Sequence, residues 1–123
     1  MTESYCSYEV SKLLKKKGFD EPCRSYFIDN VDYIDTSYST EELTDLNMGV
    51  WETLRPTHQM VCAWLREVYN IDIIIFHEKL LNDYYWARIE RNLFTEIQQE
   101  PEYNSYEEAV ESAIKYCLEN LIK

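Results

Sequence analysis

The stretch from Pro56 to Leu118 constrains the fold most, because its elements follow one another with almost no room between them. Pro56-Thr57 is predicted to open a helix that runs to Tyr69, with proline where a helix start tolerates it. Met60, Val61, Trp64, Leu65 and Val68 recur on one face with a helical period. Asn70 ends the helix. Ile71 to His77 then reads as a strand, β-branched and apolar on both faces in its middle, and is predicted to lie centrally in a sheet. Glu78 to Asp83 is a hairpin loop. Tyr84 to Glu90 alternates, with Tyr85, Ala87 and Ile89 on the side that helices would cover and Tyr84, Trp86, Arg88 and Glu90 on a half-exposed side. Arg91-Asn92 is a candidate turn into a third strand at Leu93, Thr95 and Ile97. Ser105-Tyr106-Glu107-Glu108 is a capping box, opening a helix whose buried stripe is Tyr106, Ala109, Val110, Ala113, Ile114, Cys117, Leu118 and Leu121. Glu111 and Lys115 are spaced as a favourable i,i+4 pair within it.

The first helix is predicted from Tyr8 to about Lys17, with Ser7 as its N-cap and Val10, Leu13 and Leu14 as its apolar stripe. Gly18 suits the left-handed C′ position, and Phe19 is placed to pack on Leu14. Lys15, Lys16 and Lys17 sit where the helix dipole favours cations, so this basic cluster needs no binding role. Arg24 to Ile28 is a candidate strand turned by Asp29-Asn30. From about residue 29 to 55 the pattern is poorly readable, and between Asp29 and Asp45 it is acidic: Asp29, Asp32, Asp35, Glu41, Glu42 and Asp45 occur with no cation in that span. Long irregular segments are often functional. The first candidates for a partner-binding surface are therefore Asp29, Asp32, Tyr33, Asp35, Tyr38, Glu41 and Glu42, with Tyr84 and Trp86 as an aromatic strand edge.

The fold class that follows is α+β. A single domain of 123 residues would carry an antiparallel sheet of three or more strands, packed by the second and third helices, its later half ordered α-β-β-(β)-α. That order is shared with double-stranded-RNA-binding domains, which bind through cations. Here the formal net charge is −11, from 23 acidic and 12 basic residues. Nucleic-acid affinity depends on cations that displace counterions, so direct DNA or RNA binding is disfavoured, and so is an anionic membrane. Eleven tyrosines and three tryptophans suit both cores and interfaces.

Chemistry is hard to place on this chain. None of the four cysteines lies in a C-x-x-C pair, and neither of the two glycines sits in a phosphate-binding loop. The spacing of Asp29, Asp32 and Asp35 fails the calcium-loop pattern, so no metal and no cofactor is expected. His58 and Cys62 are spaced to touch on one helical face, but His58 is expected at a solvent-prone helix start with no orienting acid. The start of the sequence has no apolar signal segment and the longest apolar run is short, which points to a reducing cytoplasm with free thiols. Whether Cys6 and Cys23, on either side of the first helix, approach each other stays open.

Three stretches carry a resemblance: YEVSKLLKKKGFDEPC from Tyr8 to Cys23, PTHQMVCAWLREVYNI from Pro56 to Ile71, and SYEEAVESAIKYCL from Ser105 to Leu118. Together they resemble a family of small proteins encoded by phages and prophages of gut bacteria, a family with no assigned activity. The resemblance implies a cytoplasmic, phage-linked setting and nothing catalytic. It covers the acidic middle poorly. Three readings follow. The first is a non-enzymatic accessory protein that binds another protein, a basic one suiting its charge, with mimicry of the charge of DNA as one form of this. The second is a small-ligand-binding protein or small enzyme with a pocket between sheet and helices. The third is a self-associating structural protein, such as a homodimer joined at Tyr84 and Trp86.

Overall fold

The computed structural model describes residues 4–28, 32–35, 53–80, 82–91 and 94–122, with only the backbone of 94–101. The fold is α+β. Among the described residues there are three α-helices and two three-stranded antiparallel sheets. The chain divides into two compact units, Met1–Thr57 and His58–Lys123. The turn expected at Asp29-Asn30 and the residues around Gly49 lie outside the described residues.

In the first unit, α1 spans Tyr8–Lys16. Ser7 caps it through its Oγ, which accepts from the Val10 amide at 3.2 Å. The helix ends as the sequence requires. Gly18 takes φ +87°, its amide donates to the Lys15 carbonyl, and the Phe19 amide donates to the Leu14 carbonyl at 3.0 Å. This pair of bonds is the Schellman ending, and only glycine adopts that φ without strain. The first sheet has the order β2-β1-β3, with β1 Ser25–Phe27, β2 Tyr33–Asp35 and β3 Thr53–Leu54. All three β1 residues are buried, and Phe27 meets Tyr8 of α1 edge to face at 5.3 Å. The segment expected to be irregular therefore contributes two short strands.

The second helix starts two residues later than its proline suggests. The Pro56 carbonyl accepts the Cys6 amide at 2.9 Å and Thr57 forms an antiparallel bridge with Tyr5. Both residues are thus held as extended chain, and α2 begins at His58 and runs to Tyr69.

The second unit is built on β4 Ile71–Glu78, β5 Tyr84–Arg91 and β6 Phe94–Tyr103, in that order across the sheet. The apolar β4 is at the edge, and β5 is the centre. The two-sided apolarity of β4 has another cause than central placement. Ile71, Ile73 and Ile75 pair with Arg91, Ile89 and Ala87 on the helix side, while Phe76 on the other side stacks on Trp86 at 4.2 Å. Asn70 joins α2 to β4 in the left-handed conformation, φ +57°. β6 is longer than its sequence pattern. Its register slips twice against β5, between Tyr85 and Ala87 and between Ile89 and Glu90. The first slip surrounds Pro101, a residue tolerated at such irregular edge positions.

The last α-helix, α3, spans Tyr106–Tyr116 and is followed by a π-helical turn, Cys117–Leu121. Ser105 Oγ accepts from the Glu108 amide at 3.1 Å, and Glu108 accepts in return from Asn104, one residue before the expected donor. Ala109, Val110, Ala113, Ile114, Cys117 and Leu118 are buried with Val61, Trp64 and Leu65 of α2 and with Ile71, Ala87 and Ile89 of the sheet. Each aliphatic side chain of valine size or larger buried in full contributes about 1.5–3 kcal/mol. Two members of the expected stripes lie outside: Val68 is 57% and Tyr106 53% exposed. Val68 falls in the last turn of α2 and Tyr106 in the first of α3, where its ring meets Tyr85 of β5 edge to face at 6.4 Å.

Among the described residues two buried side-chain polar atoms have no hydrogen-bond partner in the protein, Ser11 Oγ and Arg88 Nε. Ser11 is 2% exposed, its Oγ has no hydrogen-bond partner, and it lines a cavity of about 30 Å³ with Leu14, Phe19, Leu54 and Pro56. A buried hydroxyl without a partner costs about 1–3 kcal/mol of desolvation. The adjoining cavity has room for about one water to serve this hydroxyl, so Ser11→Ala is expected to leave stability within about 1 kcal/mol of the wild type in urea unfolding, and a loss above about 2 kcal/mol would contradict this account.

Candidate functional site

The first sheet is organised around one cation. Arg55 follows β3, and its amide donates to the Ser25 carbonyl at 2.9 Å, which extends the β1–β3 ladder by one residue. The residue before a proline is biased to extended backbone, so this placement is local in origin. The side chain is 14% exposed and is contacted from four directions. Its guanidinium carbon lies 3.9 Å from the Tyr5 ring centre and 3.5 Å from that of Tyr33, while one nitrogen donates to Ser25 Oγ at 3.0 Å and approaches Asp35 Oδ1 at 3.6 Å. A planar guanidinium suits this: its faces serve the rings and its edge serves the oxygens.

The strand so held is exposed. Tyr33 is 46% and Ile34 37% exposed, the Asp35 side chain is 65% exposed, and Asp32 and Ile28 at the two sides of the loop are exposed as well. Of the residues singled out in the acidic segment, Asp32, Tyr33 and Asp35 come together on this ribbon. Asp29, Tyr38, Glu41 and Glu42 lie outside the described residues. Arg55, Tyr5 and Ser25 went unrecognised in the sequence, where nothing local marks partners separated by 30 or more positions.

Tyr84 and Trp86 belong to the other unit and are not a strand edge. β5 pairs on both sides, with β4 and with β6, so its backbone is not available for pairing copies. Trp86 is half-buried and stacked on Phe76, over which Arg88 lies at 5.2 Å.

The two histidines are both paired with acids. His58 is buried, not solvent-prone, and its Nε2 is 2.5 Å from Glu111 Oε2. The orienting acid absent from the local sequence thus comes from α3, 53 residues away, and Glu111 turns toward α2. His77 Nε2 is 2.6 Å from Asp83 Oδ1 across the hairpin, and its ring stacks on Tyr85 at 4.0 Å. Tyr103, in register with Tyr85, has its hydroxyl 2.5 Å from Ser112 Oγ.

All four cysteines are free thiols, and three are shifted away from reactivity. Burial pushes Cys23 up to about 12, helped by the charge of Glu21. Burial pushes Cys117 up to about 12, reinforced by Cys62, and burial raises Cys62 to about 11 against the pull of Arg66. A thiol that stays protonated is a poor nucleophile.

Two outcomes follow. Arg55→Ala is expected to lower stability by about 2–3 kcal/mol in denaturant unfolding, and Arg55→Lys to recover less than half of that, because an ammonium cannot serve two rings and two oxygens at once. Full recovery by lysine would reduce the clamp to simple charge. Each shifted thiol has a folded pKa above the unfolded value near 9.0, so its contribution is complete below pH 9 and is lost as pH rises toward 11 to 12. The melting temperature should fall between pH 9 and 10.5, and less steeply in a Cys62→Ala/Cys117→Ala variant; equal slopes would remove the thiols from the explanation.

Among the described residues, no helix is long and apolar enough to cross a membrane. Compared with family models, curated proteins and solved structures, the chain matches none.

Proposed function

We propose that the chain is a non-enzymatic accessory protein that binds another protein, one with a basic surface, through the ribbon β2. One observation carries this reading. Every side chain of β2 is exposed, tyrosine and isoleucine included, although Arg55 fixes the strand from the buried side. Apolar groups held rigidly in solvent add nothing to a core and pre-organise a contact, which lowers the cost of binding. The net charge of −11 supports a basic partner, since complementary fields raise encounter rates and select partners. The phage-linked resemblance supports an accessory role in the cytoplasm, a compartment that also suits four free thiols. Nucleic acid and anionic membranes fit the charge poorly.

Catalysis has less support. Glu111 orients the His58 ring, but Cys62, the thiol spaced to meet it, is raised by burial to about 11 and stays protonated at neutral pH, as do Cys23 and Cys117. The cavity beneath α1 has room for about one water.

A tagged pull-down from bacterial lysate, washed in rising salt, compares the wild type with Asp32→Asn/Asp35→Asn, which removes two charges and leaves Arg55 a side-chain oxygen at position 35. The wild type is expected to retain a basic protein that salt elutes, and the variant to lose it while its melting temperature stays within a few degrees. Equal capture by both would sink the assignment of β2.

A further inference from the structure

We propose that β2 accepts an added strand: an extended lysine- or arginine-rich segment of the partner pairs with its outer edge and becomes the fourth strand of the first sheet. This inference rests on the binding role of β2 and specifies its geometry.

The ladder decides which backbone groups face outward. The Ile28 amide donates to the Asp32 carbonyl at 2.9 Å, so that pair is a hydrogen-bonded one. Bonded and non-bonded pairs alternate along an antiparallel ladder. The register Phe27↔Tyr33, Tyr26↔Ile34, Ser25↔Asp35 then makes Tyr26/Ile34 the next bonded pair. Ile34 faces β1 with its amide and carbonyl. Tyr33 and Asp35 face away from β1 with theirs. The opposite side of β1 is already used, because the Ser25 carbonyl accepts from Arg55. Among the described residues no strand lies outside β2. Two donors and two acceptors, spaced by two residues, are the docking pattern of a strand edge.

Charge selects the occupant. A second copy of this chain would bring its own net charge of −11 to the same edge, and like fields oppose association. An extended basic segment brings the opposite sign to the same positions and is drawn in by the net charge of −11. Because Tyr33 is held at 3.5 Å by Arg55, the strand does not have to be ordered at the moment of binding.

The test uses the full chain and an octapeptide of alternating lysine and threonine as probe. Its partner probe carries N-methyl groups at every second residue, which removes the donors from one edge and leaves the charge. Binding of the plain peptide is expected to slow amide exchange at Tyr33 and Asp35 at least tenfold, with little change at Ile34, and to weaken with salt. The N-methylated peptide is expected to bind at least tenfold less well. Asp35→Pro, which removes an outward donor without touching the bonds to β1, is expected to weaken binding beyond Asp35→Ala. Binding without protection of Tyr33 and Asp35, or insensitive to N-methylation, would overturn strand addition and leave a basic partner docked by charge alone. No binding of either peptide at low salt would overturn both strand addition and the basic-partner reading beneath it.

Discussion

The guanidinium of Arg55 is the point on which the first unit turns. A short sheet with strands of three, three and two residues has few ladder bonds of its own, and isolated pairs of such length are marginal in water. Arg55 compensates by connecting what the ladder does not: the first described residues through Tyr5, the central strand through Ser25, and the outer strand through Tyr33 and Asp35. The bond from Cys6 to Pro56 and the bridge between Tyr5 and Thr57 both lie just after this residue and hold the chain that follows it in place. The exposure of β2 is tolerable because this one side chain fixes the strand from beneath.

The second unit rests on ordinary packing, and that explains why so much of it can be read from sequence. The alternation of Tyr85, Ala87 and Ile89 against Tyr84, Trp86 and Arg88 gives the faces of β5 correctly, since a period of two survives wherever one side is buried. Ser7, Gly18 and Ser105 mark helix ends through bonds made within four residues. What failed was what depends on distance along the chain. The place of β4 at the edge, the burial of His58 under Glu111, and the two-residue delay of α2 by contacts at Cys6 and Tyr5 are decided by partners tens of residues away. β6 escaped recognition past Ile97 because Gln98-Gln99-Glu100-Pro101-Glu102 offers no apolar alternation and contains a proline, which reads against a strand.

The candidate site shows the same division. Acidic residues and Tyr33 drew attention through composition, which reports charge and stickiness but not placement. The residue that makes them a surface is a cation in the most ordinary of sequence settings, Leu-Arg-Pro. Its importance arises only when Tyr5 and Tyr33 are brought to its two sides. Tyr84 and Trp86 drew attention for the same compositional reason, but the sheet places them on a central strand, Trp86 stacked on Phe76 and Tyr84 opposite Glu78.

The covering of the second sheet by α3 has a consequence in time. The strands β4, β5 and β6 pair sequentially with their chain neighbours, so they can form as soon as residue 103 has left the ribosome. The face carrying Ile71, Ala87 and Ile89 is then without the buried stripe of Ala109 to Leu118, which is synthesised afterwards. During that interval an apolar sheet surface is open to other chains, the situation in which partly made proteins aggregate. The sequence keeps the interval short: only Asn104 and Ser105 separate β6 from α3, and Ser105 is ready to start the helix at once.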